Sequence, residues 1–277
     1  MNMYENCSRG CDAYPIILYH MPNEQYPLST PFHWQDDLEI LHITNGEITL
    51  SLDGKMYQSH AGEVVCINPG QLHSFHSNTP DASCDIFIFP LKHLLFTHED
   101  HDQENLLRPL IEGQYGFPLY LKSTAKQRLL QAIHLQKEQP VAYEMQTKAL
   151  LLQMIAYISQ QNAFILLHSA KKNNTCKEII LYIQQHYAEN LPILRIATAV
   201  GISPTYFSTY FKEHFGQTFS AYLCSFRINR ACALLKSTSQ SVAEIALSVG
   251  FGSESHFIRN FHKITGMTPF VYRRRKY

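Results

Sequence analysis

The chain has 277 residues, 45% of them hydrophobic and 17% charged, with 23 basic and 23 acidic side chains. This composition excludes a disordered polyelectrolyte and leaves apolar material for two separate cores. The formal charge of zero is a balance of opposites, because residues 171–277 carry 14 Lys and Arg against 5 acidic residues while the preceding part carries 9 against 18. A basic C-terminal third on an acidic remainder predicts a polyanionic partner for that third alone.

At the N-terminus, "MNMYENCSRGCDAYPIILYH" has no basic run ahead of a long apolar stretch, and no apolar run elsewhere is long enough to span a bilayer. A cytoplasmic protein without membrane contact is expected. The seven cysteines are scattered, and Cys7 and Cys11, the one close pair, lack a second pair at zinc-site spacing, so free thiols are expected.

From about Pro31 to Phe89 short alternating or β-branched runs are broken by Asn45-Gly46, Asp53-Gly54, Ala61-Gly62 and Asn68-Pro69-Gly70. The Asn-Gly and Asp-Gly breaks predict hairpins, and so many short strands predict a small barrel or sandwich. Within "HWQDDLE", His33 and Glu39 stand six apart. Such a pair can grip a divalent metal when a second imidazole follows two residues after the first, but Gln35 occupies that place.

After Leu91 the pattern turns helical, with Leu129, Ile133 and Leu135 and then Met145, Leu152, Ile155 and Ile158 at helical spacing. These helices are expected to cover the barrel, to pair with a second copy, or both. "HSAKKNNTC" interrupts every periodicity and reads as an interdomain linker.

The C-terminal third contains an internal repeat. Ile196-Ala197, Gly201, Ser203, Phe207, Phe211, Gly216 and Thr218 recur as Ile245-Ala246, Gly250, Ser253, Phe257, Phe261, Gly266 and Thr268. Each copy predicts a short helix, a Gly-opened turn and a second helix capped by Ser, which is a helix-turn-helix. A continuous helical pattern, "SAYLCSFRINRACALLKST", joins the copies and would set two recognition helices into successive major grooves.

With the phenylalanines inward, the outward set is Thr205, Tyr206, Ser208 and Thr209 in the first recognition helix, and Glu254, Ser255, His256, Arg259 and Asn260 in the second. Arg259 is the strongest candidate for reading a base, since its planar fork matches O6 and N7 of guanine. Lys212, Arg227, Arg230 and Lys263 are expected at phosphates or as solubilising charge.

The stretches "IATAVGISPTYFSTYFKEHFGQTFSAYLCSFRINRACALL" and "SVAEIALSVGFGSESHFIRNFHKITGMTPFVYR" closely resemble the DNA-binding domain of the AraC/XylS (arabinose-regulator) family, over roughly residues 179–273. The resemblance implies a seven-helix domain with two helix-turn-helix units, binding promoter double-stranded DNA and usually activating through RNA polymerase. The family's base-reading positions fall on Thr205, Ser208 and Thr209 and on Ser253, Glu254, His256 and Arg259. Thr209 departs from the family's common long basic or amide side chain, which weakens base reading by the first unit.

The N-terminal part resembles the cupin-like sensor barrel of such regulators, through His33-x-Gln35-x3-Glu39-x6-Gly46 and Gly62-x5-Asn68-Pro69-Gly70-x2-His73-x3-Ser77. In metal-binding cupins the ligands would be His33, position 35, Glu39 and His73, and Gln35 is a poor one.

An α+β multidomain chain is therefore expected, with a cupin-like effector-binding β-barrel over 1–100, a dimerising helical segment over 101–163, a linker over 164–175 and a double helix-turn-helix over 176–277. The leading function is a DNA-binding regulator, a homodimer and activator without a cofactor. A small-molecule effector, by resemblance a sugar or related polyhydroxylated metabolite, would be held by His33, Trp34, Glu39, His42 and His73. The alternatives are a metal-dependent cupin enzyme or a metal sensor fused to a DNA-binding domain.

Overall fold

A computed structural model describes residues 14–21, 28–79, 81–98, 100–167 and 174–274. Cys7, Cys11 and residues 168–173 of the expected linker lie outside these. Eight strands come first: β1 (Ile17–Met21), β2 (Ser29–His33), β3 (Leu38–Asn45), β4 (Glu47–Leu52), β5 (Lys55–His60), β6 (Val64–Ile67), β7 (His73–Ser77) and β8 (Ser83–Phe89). They form two four-stranded antiparallel sheets, ordered β1-β8-β3-β6 and β2-β7-β4-β5.

Alternation along the strands divides their side chains between two cores. Leu41, Ile43, Leu50, Ile67, Phe75 and Ile88 meet between the sheets, whereas Leu38, Ile40, Phe87 and Phe89 face outward under helices. Asp53-Gly54 makes the expected hairpin, with φ of 47° and 82° and Leu52 paired to Lys55. Asn45-Gly46 does not. Only Gly46 has positive φ, and β3 and β4 belong to different sheets, so this dipeptide turns the chain from one sheet to the other.

A short helix α1 (Arg108–Ile111) and strand β9 (Tyr115–Gly116) lead to α2 (Ser123–Glu138) and α3 (Tyr143–Gln160). Leu129, Ala132 and Ile133 of α2 and Leu151, Met154, Ile155 and Ile158 of α3 close over the outer face of the β3–β8 sheet. Each buried Leu, Ile or Met among them contributes roughly 1.5–3 kcal/mol. Met145, placed by its spacing on the apolar side, is exposed at the start of α3, where Thr147 and Leu151 mark the true inward stripe.

A polar pin reinforces the apolar contact. Asp85 of β8, 2% exposed, accepts hydrogen bonds from Lys137 Nζ of α2 at 2.9 Å and from His20 Nδ1 of β1 at 2.8 Å. Burial opposes its ionisation, but Lys137 and His20 outweigh burial and hold the carboxyl below its usual pKa. A depressed carboxyl pKa stabilises the fold above about pH 3.9 and loses that contribution as pH falls through the lower, folded value. Asp85→Asn is therefore expected to cost about 1–3 kcal/mol at pH 7, with the gap to wild type closing below pH 4 in urea titrations. A gap independent of pH would contradict the ionic pin.

After α3, strand β10 (Ile165–Leu166) pairs with β9, so part of the expected linker is tied to the sensor domain. Among the described residues seven helices follow, in the number the resemblance implies: α4 (Asn174–His186), α5 (Ile193–Ala199), α6 (Pro204–Phe215), α7 (Phe219–Ser237), α8 (Val242–Ser248), α9 (Glu254–Thr265) and α10 (Pro269–Arg274). They enclose two cores. One is built on Ile179, Ile183, Phe207, Phe211 and Tyr222, the other on Ile228, Ile245, Phe257 and Phe261, and α7 contributes to both.

Candidate nucleic-acid interface and sensor site

Each half of the repeat forms the predicted unit. Ser203 accepts from the Tyr206 N–H at the start of α6, and Ser253 accepts from the His256 N–H at the start of α9. Gly250 opens the second turn at φ 90°, where a Cβ would lie 2.7 Å from the Ala188 carbonyl oxygen, so no larger residue fits. Phe207 and Phe211, and likewise Phe257 and Phe261, are fully buried, which orients the opposite faces outward.

On α6 the outward face holds Thr205, Tyr206, Ser208 and Thr209, all exposed. Ser208 donates back to the Pro204 carbonyl, leaving only acceptor capacity for a partner. On α9 the face holds Glu254, His256 and Arg259, with Asn260 donating to the His256 carbonyl. Ser253 is spent in part on its capping bond.

Lys212 and Lys263 are exposed on the ends of α6 and α9. Two expected phosphate contacts are placed differently. Arg227 donates to the carbonyls of Tyr187 and Glu189 at 2.7 and 2.8 Å, tying α7 to the end of α4, and Arg230 lies over the rings of Tyr187 and Phe226 at 5.5 and 5.3 Å. Their charges serve the domain's own packing, because carbonyls left unpaired beyond α4 need donors.

In the sensor barrel, His33 and His73 are cross-strand partners on β2 and β7, and Glu39 reaches them from β3 in the facing sheet. All three are at most 5% exposed. Glu39 Oε2 lies 3.2 Å from His73 Nε2 and 4.0 Å from His33 Nε2. Gln35 donates to the same oxygen at 2.8 Å, so it orients the carboxylate. Burial, aided by His73 alongside, pushes the His33 pKa well below the usual imidazole value and keeps it neutral.

Two family models match consecutive parts of the chain: an AraC-like ligand binding domain over residues 23–155 and a helix-turn-helix domain over residues 196–275. The chain belongs to the AraC family of transcriptional regulators. It is a DNA-binding transcriptional regulator with a ligand-binding domain. Among its relatives, a helix-turn-helix-type regulator of Bacillus subtilis, YdeC, is 24% identical over 88% of this chain and 86% of its own. Another, YdiP of Escherichia coli, is 24% identical over 98% and 92%. A crystal structure of ToxT from Vibrio cholerae bound to an unsaturated fatty acid shares the fold, with a TM-score of 0.50 at 15% identity, over 93% of this chain and 94% of that one. Among the described residues no helix is long and apolar enough to cross a membrane.

Two of the expected effector contacts of this AraC-family chain lie outside the barrel interior. His42 is three residues from Glu39 on one strand, an odd separation that turns it to the outer face, 3.5 Å from Asp85 Oδ2. Trp34 follows β2 on the side opposite His33 and packs against the first helix-turn-helix core, with Lys177 Nζ 5.6 Å from its ring.

That side of the barrel is a domain seam that no sequence pattern announces. Phe32 and Leu72 are buried within the core of α4–α7. The Phe32 ring lies 5.2 Å from that of Phe215, and the Tyr222 hydroxyl donates to the Phe32 carbonyl at 3.0 Å. An isolated apolar residue at a strand end carries no sign of which distant helix covers it.

Proposed function

We propose that the protein is an effector-responsive activator that binds promoter DNA as a homodimer, with the exposed faces of α6 and α9 in adjacent major grooves and RNA polymerase as the downstream contact. The observation that carries this reading is the pair of Ser-capped helices joined by α7, whose 19 residues span roughly 28 Å. That length is close to the ~34 Å between successive major grooves on one face of DNA. Arg259 supplies the strongest base contact, and Lys212 and Lys263 remain suited to phosphates.

Dimerisation is assigned to α2 and α3, which form an open groove lined by Leu130, His134, Leu135, Ala149 and Leu150. The exposure of Met145, one turn before Ala149 on α3, adds apolar surface that favours a second copy of the same helices. The effector is assigned to the barrel interior, on His33, Glu39 and His73. A sugar would find hydrogen-bonding groups there but not the stacking surface expected from Trp34. A fatty acid, the ligand in the ToxT structure, would meet a buried carboxylate there, which repels its headgroup, beside two imidazoles.

Selection of bound duplexes from random DNA by the full chain tests the regulator reading. One recurring sequence is expected, and its log affinity should fall linearly with log salt at about 0.9 per phosphate contacted. Retention of all sequences alike would contradict it.

A further inference from the structure

The cores of the two helix-turn-helix units differ in where their residues come from. The first is completed by Phe32 and Leu72 of the barrel, both buried in it, with Trp34 packed at its edge. The second contains no residue before Tyr187, among the described residues, and so takes nothing from the barrel. One half of the DNA-binding domain is built partly from sensor residues, and the other half is not.

Phe32 sits at a joint. Its ring lies 5.2 Å from that of Phe215, the last residue of α6, and 6.4 Å from that of Tyr222 in the first turn of α7. Phe215 stacks on Phe211 at 4.1 Å, which carries the contact into the buried side of the recognition helix. Only Gly216, Gln217 and Thr218 separate α6 from α7, so a ring wedged there sets the angle between the two helices. Because α7 also carries the second unit, that angle fixes how the two outward faces stand relative to each other.

Leu72 is held to the β4–β5 hairpin. Asp53 Oδ1 accepts from the Leu72 N–H at 3.1 Å, and the Asp53 N–H donates to the Leu72 carbonyl at 2.8 Å. The tip of this hairpin runs against the end of α6 as well, since a Cβ on Gly54 would lie 3.2 Å from the Glu213 carbonyl oxygen and 3.5 Å from His214 Cα. On α6 these contacts all fall in the last turn, whereas Thr205, Tyr206, Ser208 and Thr209 stay exposed near its other end. The docked barrel leaves the reading face open and acts on its direction. A helix held at one angle has less freedom to lose on entering a groove than one that swings about its joint.

We propose that Phe32 and Leu72 are positioning residues for DNA reading by α6, so that docking of the barrel governs the first unit while α9, whose core is its own, reads without it. This rests on the regulator reading. It gives the sensor domain control over one groove contact instead of over DNA binding as a whole.

Hydroxyl-radical footprinting of the full chain on its selected duplex reads the two units separately. Wild-type protein is expected to protect two backbone patches about one helical turn apart per protomer, the one that Arg259→Ala weakens belonging to α9. Phe32→Ala and Leu72→Ala should each lose the other patch, keep the α9 patch and weaken overall binding about 5–150-fold. A shift in the emission of Trp34, the chain's one tryptophan, should report the opened seam. Leu72→Met, of similar volume, should keep both patches. Tyr222→Phe removes one hydrogen bond to the Phe32 carbonyl and keeps the ring, and it should weaken the α6 patch alone. It carries the test where circular dichroism shows that a truncated variant has failed to fold. Equal weakening of both patches, or both patches intact while Trp34 emission reports an open seam, would overturn the positioning role. Unchanged emission together with unchanged patches would overturn it equally, because Phe32 and Leu72 would then hold nothing. Wild-type protein that protects no specific site fails the regulator reading, whereas two wild-type patches indifferent to the seam variants fail this inference alone.

Discussion

Phe32→Ala is expected to destabilise the docked chain by about 3–5 kcal/mol, the cost of truncating a buried aromatic and leaving a cavity. Phe32 is 4% exposed although it belongs to the sensor barrel, because the helix-turn-helix core closes over it. Its ring sits edge-on to Phe215, and its backbone carbonyl takes the buried Tyr222 hydroxyl. Truncation removes the packing and loosens the strand end that holds the carbonyl, so Tyr222 loses its partner as well. Urea unfolding followed by Trp34 emission should show the seam transition at markedly lower denaturant, ahead of the far-ultraviolet circular dichroism change. A cost under about 1 kcal/mol, with coincident transitions, would contradict a seam that is part of the first unit's core.

Arg259→Ala is expected to weaken binding to the selected DNA site by about 1–3 kcal/mol and to relax preference at one base pair. Arg259 stands on the exposed face of α9, six residues beyond the Ser253 cap, opposite the buried Phe257 and Phe261. From there a planar guanidinium can pair with two acceptors of one guanine, a fork that no other outward residue of either helix carries. On α6 the outward groups are hydroxyls and Tyr206, and Ser208 has already given its proton to Pro204. Thr209→Ala is accordingly expected to cost less than Arg259→Ala in the same competition assay. An equal loss across all sequences would make Arg259 a phosphate contact, and a larger effect at Thr209 would reverse the ranking of the two units.

Features set by local rules were legible in the sequence. The repeat fixed both helix-turn-helix units to the residue at their Ser caps and Gly turns, since capping and positive φ depend on neighbours only a few positions away. His33, Glu39 and His73 were legible as a set, and the structure brings them together. His42 was misplaced although strand parity from Glu39 forbids it the same face. Trp34, Arg227 and Arg230 have surroundings that the sequence did not show, for another reason. What covers or pairs with them comes from distant segments, the first helix-turn-helix core with Lys177 of α4 for Trp34 and the end of α4 for the arginines, and no short-range pattern encodes that.

The proposed arrangement, two recognition helices of unequal strength reading one duplex, is central to this regulator. Guanine-methylation interference on the selected DNA site measures that arrangement most directly. Two clusters of interference about one helical turn apart per protomer are expected, with the cluster that Arg259→Ala erases being the stronger. A single cluster per protomer, or two that Arg259→Ala leaves unchanged, would contradict it.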